Sequence, residues 1–198
     1  MCRLVETLKI ADGIICQLPY HSDRMNRSRQ QLFGCTDTID IANILTGKIP
    51  AGQGVYKCRI VYDRHIHGID IQPYTRKKVE SLRCVYDNTI RYEYKHEDRQ
   101  ALQKLYEHRQ SCDDILIIKN NLITDTSYSN IAFFDGNNWL TPAHPLLKGT
   151  RRAQLLTEGK IQEAILQTTD LQQFAKASLI NAMMDLDEMV VNIKNIVI

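Results

Sequence analysis

From Val5 to Leu18 the chain alternates apolar and polar positions around Asp12-Gly13, and that period of two predicts a β-hairpin ended by Pro19. The period then changes. Between His21 and Phe33, the residues Met25, Leu32 and Phe33 recur at roughly helical spacing, with Arg24, Arg27 and Arg29 among them. Gly34 stands just past this stripe, where helices commonly close on a glycine. Thr38 to Leu45 predicts a second short helix, closed by Gly47 and followed by Pro50. Three strands follow, over Gly54–Asp63, Gly68–Tyr74 and Val79–Tyr86, then a short extended piece from Tyr92 to Lys95. A helix opening within Lys95–Asp98 carries Leu102, Leu105 and Tyr106.

The second half is made of shorter pieces. Asp114–Ile118, Leu122–Asp125, Asn130–Phe134 and Trp139–Leu140 predict strands, with Asn120-Asn121 and Asp135-Gly136-Asn137 as turns. Gly149 starts a helix that runs through Leu156 and ends at Gly159. Ile161–Leu166 is then a strand, and Thr169-Asp170 caps a brief helix reaching Ala175. Ser178–Met183 and Met189–Ile198 close the chain as strands. Strands dominate both halves, which predicts an α+β fold with antiparallel-rich sheets. The boundary is expected near Tyr92–Lys95, giving lobes 1–93 and 94–198, and a cleft between such lobes favours a cofactor.

Composition narrows the class. At 198 residues with 43% hydrophobic and 24% charged residues, the chain can build a sizeable core. Its formal charge of +2 gives no electrostatic reason to expect nucleic acid. No apolar run approaches the roughly 20 residues needed to span a bilayer, and Met1-Cys2-Arg3-Leu4 does not resemble a secretion signal, so a cytoplasmic location is expected. The six cysteines are scattered with no C-x-x-C pair, which argues against a metal site and for free thiols, some of them in the core.

Four segments carry candidate chemistry. Lys95 ends the aromatic stretch Tyr92-Glu93-Tyr94, and a partly desolvated lysine is a nucleophilic amine. Asp125 sits with hydroxyls between apolar strands in Ile123-Thr124-Asp125-Thr126-Ser127-Tyr128-Ser129-Asn130, where an acid can hold a proton on a pyridine nitrogen. Gly149 opens a helix in Leu147-Lys148-Gly149-Thr150-Arg151-Arg152, and free amides at a helix N-terminus bind phosphate. Arg24, in His21-Ser22-Asp23-Arg24-Met25, can meet a phosphate bidentately. Taken singly, each is more often structural: a solvated lysine, a polar turn, an ordinary helix start, a surface arginine.

Their order is more specific. H-x-x-R-[LM], a lysine, [ED]-x-x-x-x-N-[IL], T-P and [LI]-x-G-x-x-R, in that sequence, resemble the class IV aminotransferases. That family comprises branched-chain and D-amino-acid aminotransferases and 4-amino-4-deoxychorismate lyase, pyridoxal-5′-phosphate enzymes of fold type IV. The resemblance covers nearly the whole chain and is most specific over Leu122–Phe133, Trp139–Pro142 and Leu147–Arg152. It implies that Lys95 is the imine-forming lysine and Asp125 the acid facing the pyridine nitrogen. Arg24 would be the phosphate-binding arginine, and Gly149, Thr150 and Arg151 the turn whose amides hold the phosphate. Asn181, in Leu179-Ile180-Asn181-Ala182-Met183, would lie at a second phosphate-side position. No metal is implied.

The chain also departs from the family pattern. Asp125 replaces the usual glutamate and is one methylene shorter, so it must approach the ring more closely or act through water. Arg151 replaces the hydroxyl of the phosphate turn. Gln100, after Arg99, stands where many members have a tyrosine. Relatives usually carry another strand pair before the segment that Val5-Glu6-Thr7 resembles, so the substrate side is the part expected to be trimmed. Asn181 in its Ile-Asn-Ala-Met setting leans toward the lyase branch. So does Thr7, suited to pass a proton to the departing pyruvate unit. A branched-chain or D-amino-acid transaminase, and a degenerate cofactor-free homologue, are the alternatives. The resemblance implies a homodimer, for which Ile115–Ile118 and Val190–Ile198 are the apolar strands expected to offer surfaces.

Overall fold

The computed structural model describes residues 2–198. They form two compact units, the first comprising the chain up to Arg76 with Tyr94–Asp98, the second Lys77–Glu93 with Arg99–Ile198. The units thus divide the chain elsewhere than at 93/94, and for a reason of strand pairing. Strand Leu82–Tyr86 runs parallel to Asp114–Lys119 and so joins the second unit. Lys95 joins the first, because its carbonyl accepts from Val5 N at 2.9 Å and its neighbour His96 bridges Leu4.

The first unit is an antiparallel sheet of β1 (Leu4–Ala11), β2 (Ile14–Ile15), β3 (Val55–Tyr62) and β4 (Ile66–Pro73), in the order β2-β1-β3-β4. β1 and β3 pair along their full length, from Leu4 opposite Tyr62 to Ala11 opposite Val55. Alternation puts Leu4, Glu6, Leu8 and Ile10 on one face of β1, all fully buried. Leu4, Leu8 and Ile10 meet Cys58, Ile60 and Tyr62 of β3 and Met25 of helix α1 (Leu18–Phe33), with Ile41 and Leu45 of α2 (Ile41–Leu45) completing the cluster.

α1 starts earlier than the apolar stripe suggests. Pro19 lies in its first turn, where a missing N–H costs nothing, so the proline opens the helix as well as ending the hairpin. Gly34 closes it at φ 67°, a left-handed value that glycine adopts without strain. α2 begins at Ile41 because the Asp40 carboxylate accepts from the amides of Ala42 and Asn43, which leaves Thr38 outside.

The second unit holds two sheets. One has β5 (Leu82–Tyr86), β6 (Asp114–Lys119), β7 (Leu122–Thr126) and β13 (Ile196–Val197), ordered β13-β5-β6-β7. The other has β8 (Asn130–Phe134), β9 (Trp139–Pro142), β10 (Gln162–Ala164), β11 (Lys176–Ile180) and β12 (Val190–Asn192), ordered β10-β9-β8-β11-β12. Helices α3 (Gln100–Glu107) and α4 (Thr150–Thr157) belong to this unit. Ile115–Ile118 are fully buried, and β6 is paired on both edges, so this strand offers no surface to a second subunit. The single C-terminal strand expected over Met189–Ile198 is two, β12 and β13. A 3-10 turn at Ile193–Asn195 separates them and lets each pair with a different sheet. The α+β, antiparallel-rich reading holds.

Candidate active site

In the first unit the centre of polar chemistry is Glu6. It occupies an apolar face of β1, and a carboxylate there requires partners to offset its lost hydration. Arg24, nearly two turns into α1, donates from Nε to Oε1 at 2.9 Å and from Nη2 to Oε2 at 2.6 Å. His21 Nδ1 lies 2.6 Å from Oε2, and since an ionised carboxylate only accepts, Nδ1 carries the proton. Burial alone would raise the pKa of Glu6. The Arg24 charge and the His21 hydrogen bond outweigh it and hold the group at about 2. His21 lies below its ordinary value, chiefly through burial and further through the charges of Arg24 and Lys95, against the opposing pull of Glu6. The result is an ionised Glu6–Arg24 pair beside a neutral imidazole.

Lys95 is half-buried at the edge of this sheet and close enough for its charge to act on His21. Thr7 follows Glu6 on β1 and therefore faces the other side of the sheet, half-buried and opposite Arg59 of β3. Arg24, His21, Glu6 and Lys95 come together; the Thr7 side chain points away from Glu6.

In the second unit the centre is Asp125 on β7, only 5% exposed. Oδ1 accepts from Asn130 Nδ2 at 2.7 Å and Oδ2 from the Leu147 amide at 2.9 Å. Burial dominates its titration and raises the pKa to about 6, against the hydrogen bonds from Leu147 and Asn130 and the nearby Arg152 charge. Asn130 also donates to the Leu147 carbonyl at 2.8 Å, so one side chain ties the acid to the segment that leads into α4.

Gly149 is the N-cap of α4, with φ −69° and ψ 149°. A Cβ at this position would collide with Asn130 Oδ1, so glycine is required here by close approach and not by backbone angle. An N-cap glycine brings no oxygen of its own to the first-turn amides, an arrangement that suits an external anion. Thr150 and Arg151, which follow, are buried. The Arg151 guanidinium is held by Asp185 through Nε and Nη2 and by Gln154 through Nη1, so its side chain is committed within the protein. That leaves its backbone amide as the group it can offer an anion at the turn. Asn181, at the end of β11, accepts from the Met183 amide at 2.8 Å and shapes the turn that follows.

Two partners escaped the sequence reading. Glu6 carried a detectable signal, an acid in step with Leu4, Leu8 and Ile10 on an apolar face. Asp185 carried none, since it meets Arg151 from 34 positions away. Among the described residues no group of three or more His, Cys, Asp or Glu is arranged to hold a metal, and no helix is long and apolar enough to cross a membrane.

A Haemophilus influenzae protein described only as uncharacterized is 36% identical over 185 residues, covering 92% of this chain and 98% of its own length. The crystal structure of a protein from Haemophilus somnus, provisionally named a 4-amino-4-deoxychorismate lyase, has 34% identity and a TM-score of 0.89, covering 94% of this chain and 98% of that one. A hypothetical aminotransferase from Mycobacterium tuberculosis in its PLP-bound form shares the fold at 16% identity, with a TM-score of 0.74 over 98% of this chain and 81% of its own. The profile described as amino-transferase class IV matches residues 3–187, and the chain belongs to that family.

Proposed function

We propose that this protein is a pyridoxal-5′-phosphate enzyme that cleaves 4-amino-4-deoxychorismate to 4-aminobenzoate and pyruvate, acting as a cytoplasmic homodimer. The observation that carries the cofactor assignment is Asp125, a buried carboxylate with a pKa near 6, braced by Asn130 and the Leu147 amide beside an N-cap glycine. The donor set suits the cofactor: an amine at Lys95, an acid matched to a pyridine nitrogen, and a helix N-terminus and an arginine for phosphate. The PLP-bound relative and the provisionally named lyase point the same way.

When bound, pyridoxal phosphate supplies an electron sink for the bonds at the substrate's α-carbon. Asp125 would hold a proton on the ring nitrogen, and as the ionised partner of that positive nitrogen it would offset the cost of its own burial. Arg24 and the amides of Gly149, Thr150 and Arg151 anchor the phosphate, with Asn181 at its second side. The Lys95 amine would hold the cofactor and would move a proton at the substrate's α-carbon. Thr7, which faces the other side of β1 from the Glu6–Arg24 pair, would pass a proton to the departing pyruvate unit only if the substrate reaches that face.

Borohydride reduction of the yellow holoenzyme should place the pyridoxyl label on Lys95, and a label on Lys119 or Lys148 would overturn that assignment. Incubation with aminodeoxychorismate should release 4-aminobenzoate and pyruvate. Turnover of branched-chain or D-amino acids only when a keto acid is present would make it a transaminase, and no cofactor uptake at all would refute the enzyme reading. The dimer rests on apolar side chains exposed on the second unit, Ile165 (67%) and Ile198 (64%) chief among them. Light scattering that finds a species near the 22.9 kDa chain mass, yellow and active, would refute it.

A further inference from the structure

We propose that Glu6 is a positioning residue for phosphate recognition: it fixes the plane of the Arg24 guanidinium so that its outer edge is set for an anion. This deepens the proposed function and rests on Arg24 being the phosphate arginine. Glu6 is fully buried, and Arg24 is 8% exposed, so the pair is enclosed while the arginine just reaches the surface. Nε and Nη2 face Glu6 in a two-point pair at 2.9 and 2.6 Å. Two such bonds leave a planar guanidinium no freedom to rotate about its long axis. In that side-on arrangement the Nη1 donors and the second Nη2 donor point along the opposite edge.

The carboxylate is fixed in its turn. His21 Nδ1 donates to Oε2, and β1 holds the Glu6 backbone against β3, where Glu6 stands opposite Ile60. Tyr62 stands close enough to feel the Glu6 charge. Its phenol is pushed well up, first by burial and then by that charge, so it stays protonated. The arrangement lets two effects be told apart. Glu6 cancels the Arg24 charge, so if electrostatic attraction alone governed phosphate binding, removing the carboxylate would tighten it. If orientation governs it, removal loosens it.

The test compares pyridoxal phosphate with pyridoxal, which lacks the phosphate, by equilibrium fluorescence titration of the apo-protein. Glu6→Gln should weaken pyridoxal phosphate binding roughly tenfold, within the range of one lost charge-assisted hydrogen bond, and leave pyridoxal binding unchanged. Glu6→Asp, which keeps the charge at shorter reach, should recover part of the loss. Because Glu6→Gln alone strands a buried arginine, a second comparison uses Arg24→Met against Glu6→Gln/Arg24→Met, where both charges are gone. Glu6→Gln should add nothing in that background. A phosphate preference unchanged or increased in Glu6→Gln, with a preference that still depends on Arg24, overturns the positioning role alone. A wild type that binds pyridoxal phosphate no better than Arg24→Met overturns the Arg24 assignment as well.

Discussion

Gly149→Ala places one methyl group against the residue that braces the acid, and the structure supplies the magnitude. The backbone at φ −69° and ψ 149° is open to alanine, so the substitution should gain about 0.4–1 kcal/mol by restricting the unfolded chain. Against this, the added Cβ meets Asn130 Oδ1, and Asn130 cannot yield without releasing Asp125 Oδ1 and the Leu147 carbonyl. Forcing a methyl into packed surroundings costs about 1–3 kcal/mol. Loss of a hydrogen bond to a buried carboxylate costs about 1.5–3 kcal/mol. These costs overlap, since relieving the clash is what breaks the bond, and the net expectation is about 2–4 kcal/mol of destabilisation. Urea unfolding of the apo-protein, followed by fluorescence of the single tryptophan, Trp139 of β9, should show the midpoint lowered by about 1–2 M at typical slopes for small proteins. In an Asn130→Ala background the obstacle is gone, and Gly149→Ala should cost nothing further or stabilise slightly. Gly149→Ala equal to or more stable than the wild type, with Asn130 intact, would refute the close approach and with it the account of how Asp125 is held.

Two of the buried acids, Asp125 and Glu6, predict opposite pH responses. The folded pKa of Asp125 is raised from 3.8 to about 6, so the native state binds the extra proton and stability falls as pH rises from about 4 to 6, by up to about 3 kcal/mol. Asp125→Asn apo-protein should lack that decline in urea titrations at stepped pH. The pKa of Glu6 is lowered from 4.5 to about 2, so its stabilisation is complete above 4.5 and is lost as pH falls toward 2. His21, depressed below 6.5, adds to that loss because the unfolded imidazole takes up a proton more readily. Acid titration by circular dichroism should show the loss, and Glu6→Gln/Arg24→Met should shed the Glu6 part of it. In the holoenzyme, Asp125→Asn should reduce turnover by about two to three decades, the scale of one lost electrostatic stabiliser, while cofactor uptake measured by absorbance survives.

What the sequence made legible was local. The period-two run in β1, the glycine that ends α1 and the turn at Asn120-Asn121 are signals that residues a few positions apart give one another. The errors fall where a local signal has two meanings or a distant partner decides. Pro19 can end a strand or open a helix, and only the structure shows that the helix already starts at Leu18. Ile115–Ile118 has the composition of an exposed apolar edge or of a central strand. Pairing with β5 and β7, contributed by residues on both sides in sequence, makes it central. Asp40 takes the start of α2 from Thr38 by a hydrogen bond that composition alone does not rank.

The candidate site divides along the same line. The identities of Lys95, Asp125, Arg24 and Gly149 came from their order along the chain, while their chemical condition comes from groups that order does not name. Asp125 titrates near 6 because burial outweighs what Asn130 and the Leu147 amide return to it. The side chain of Arg151, which replaces the expected hydroxyl at the proposed phosphate turn, is taken up by Asp185 and Gln154, so only its backbone amide is left for the proposed binding. A motif fixes which atoms are present, but the burial and hydrogen bonding that set a proton affinity or aim a guanidinium arise between strands and helices far apart in sequence. Glu6 is the intermediate case. Its position on an apolar face announces that it must have a partner, and only the packing of α1 on β1 supplies Arg24 and His21 as the answer.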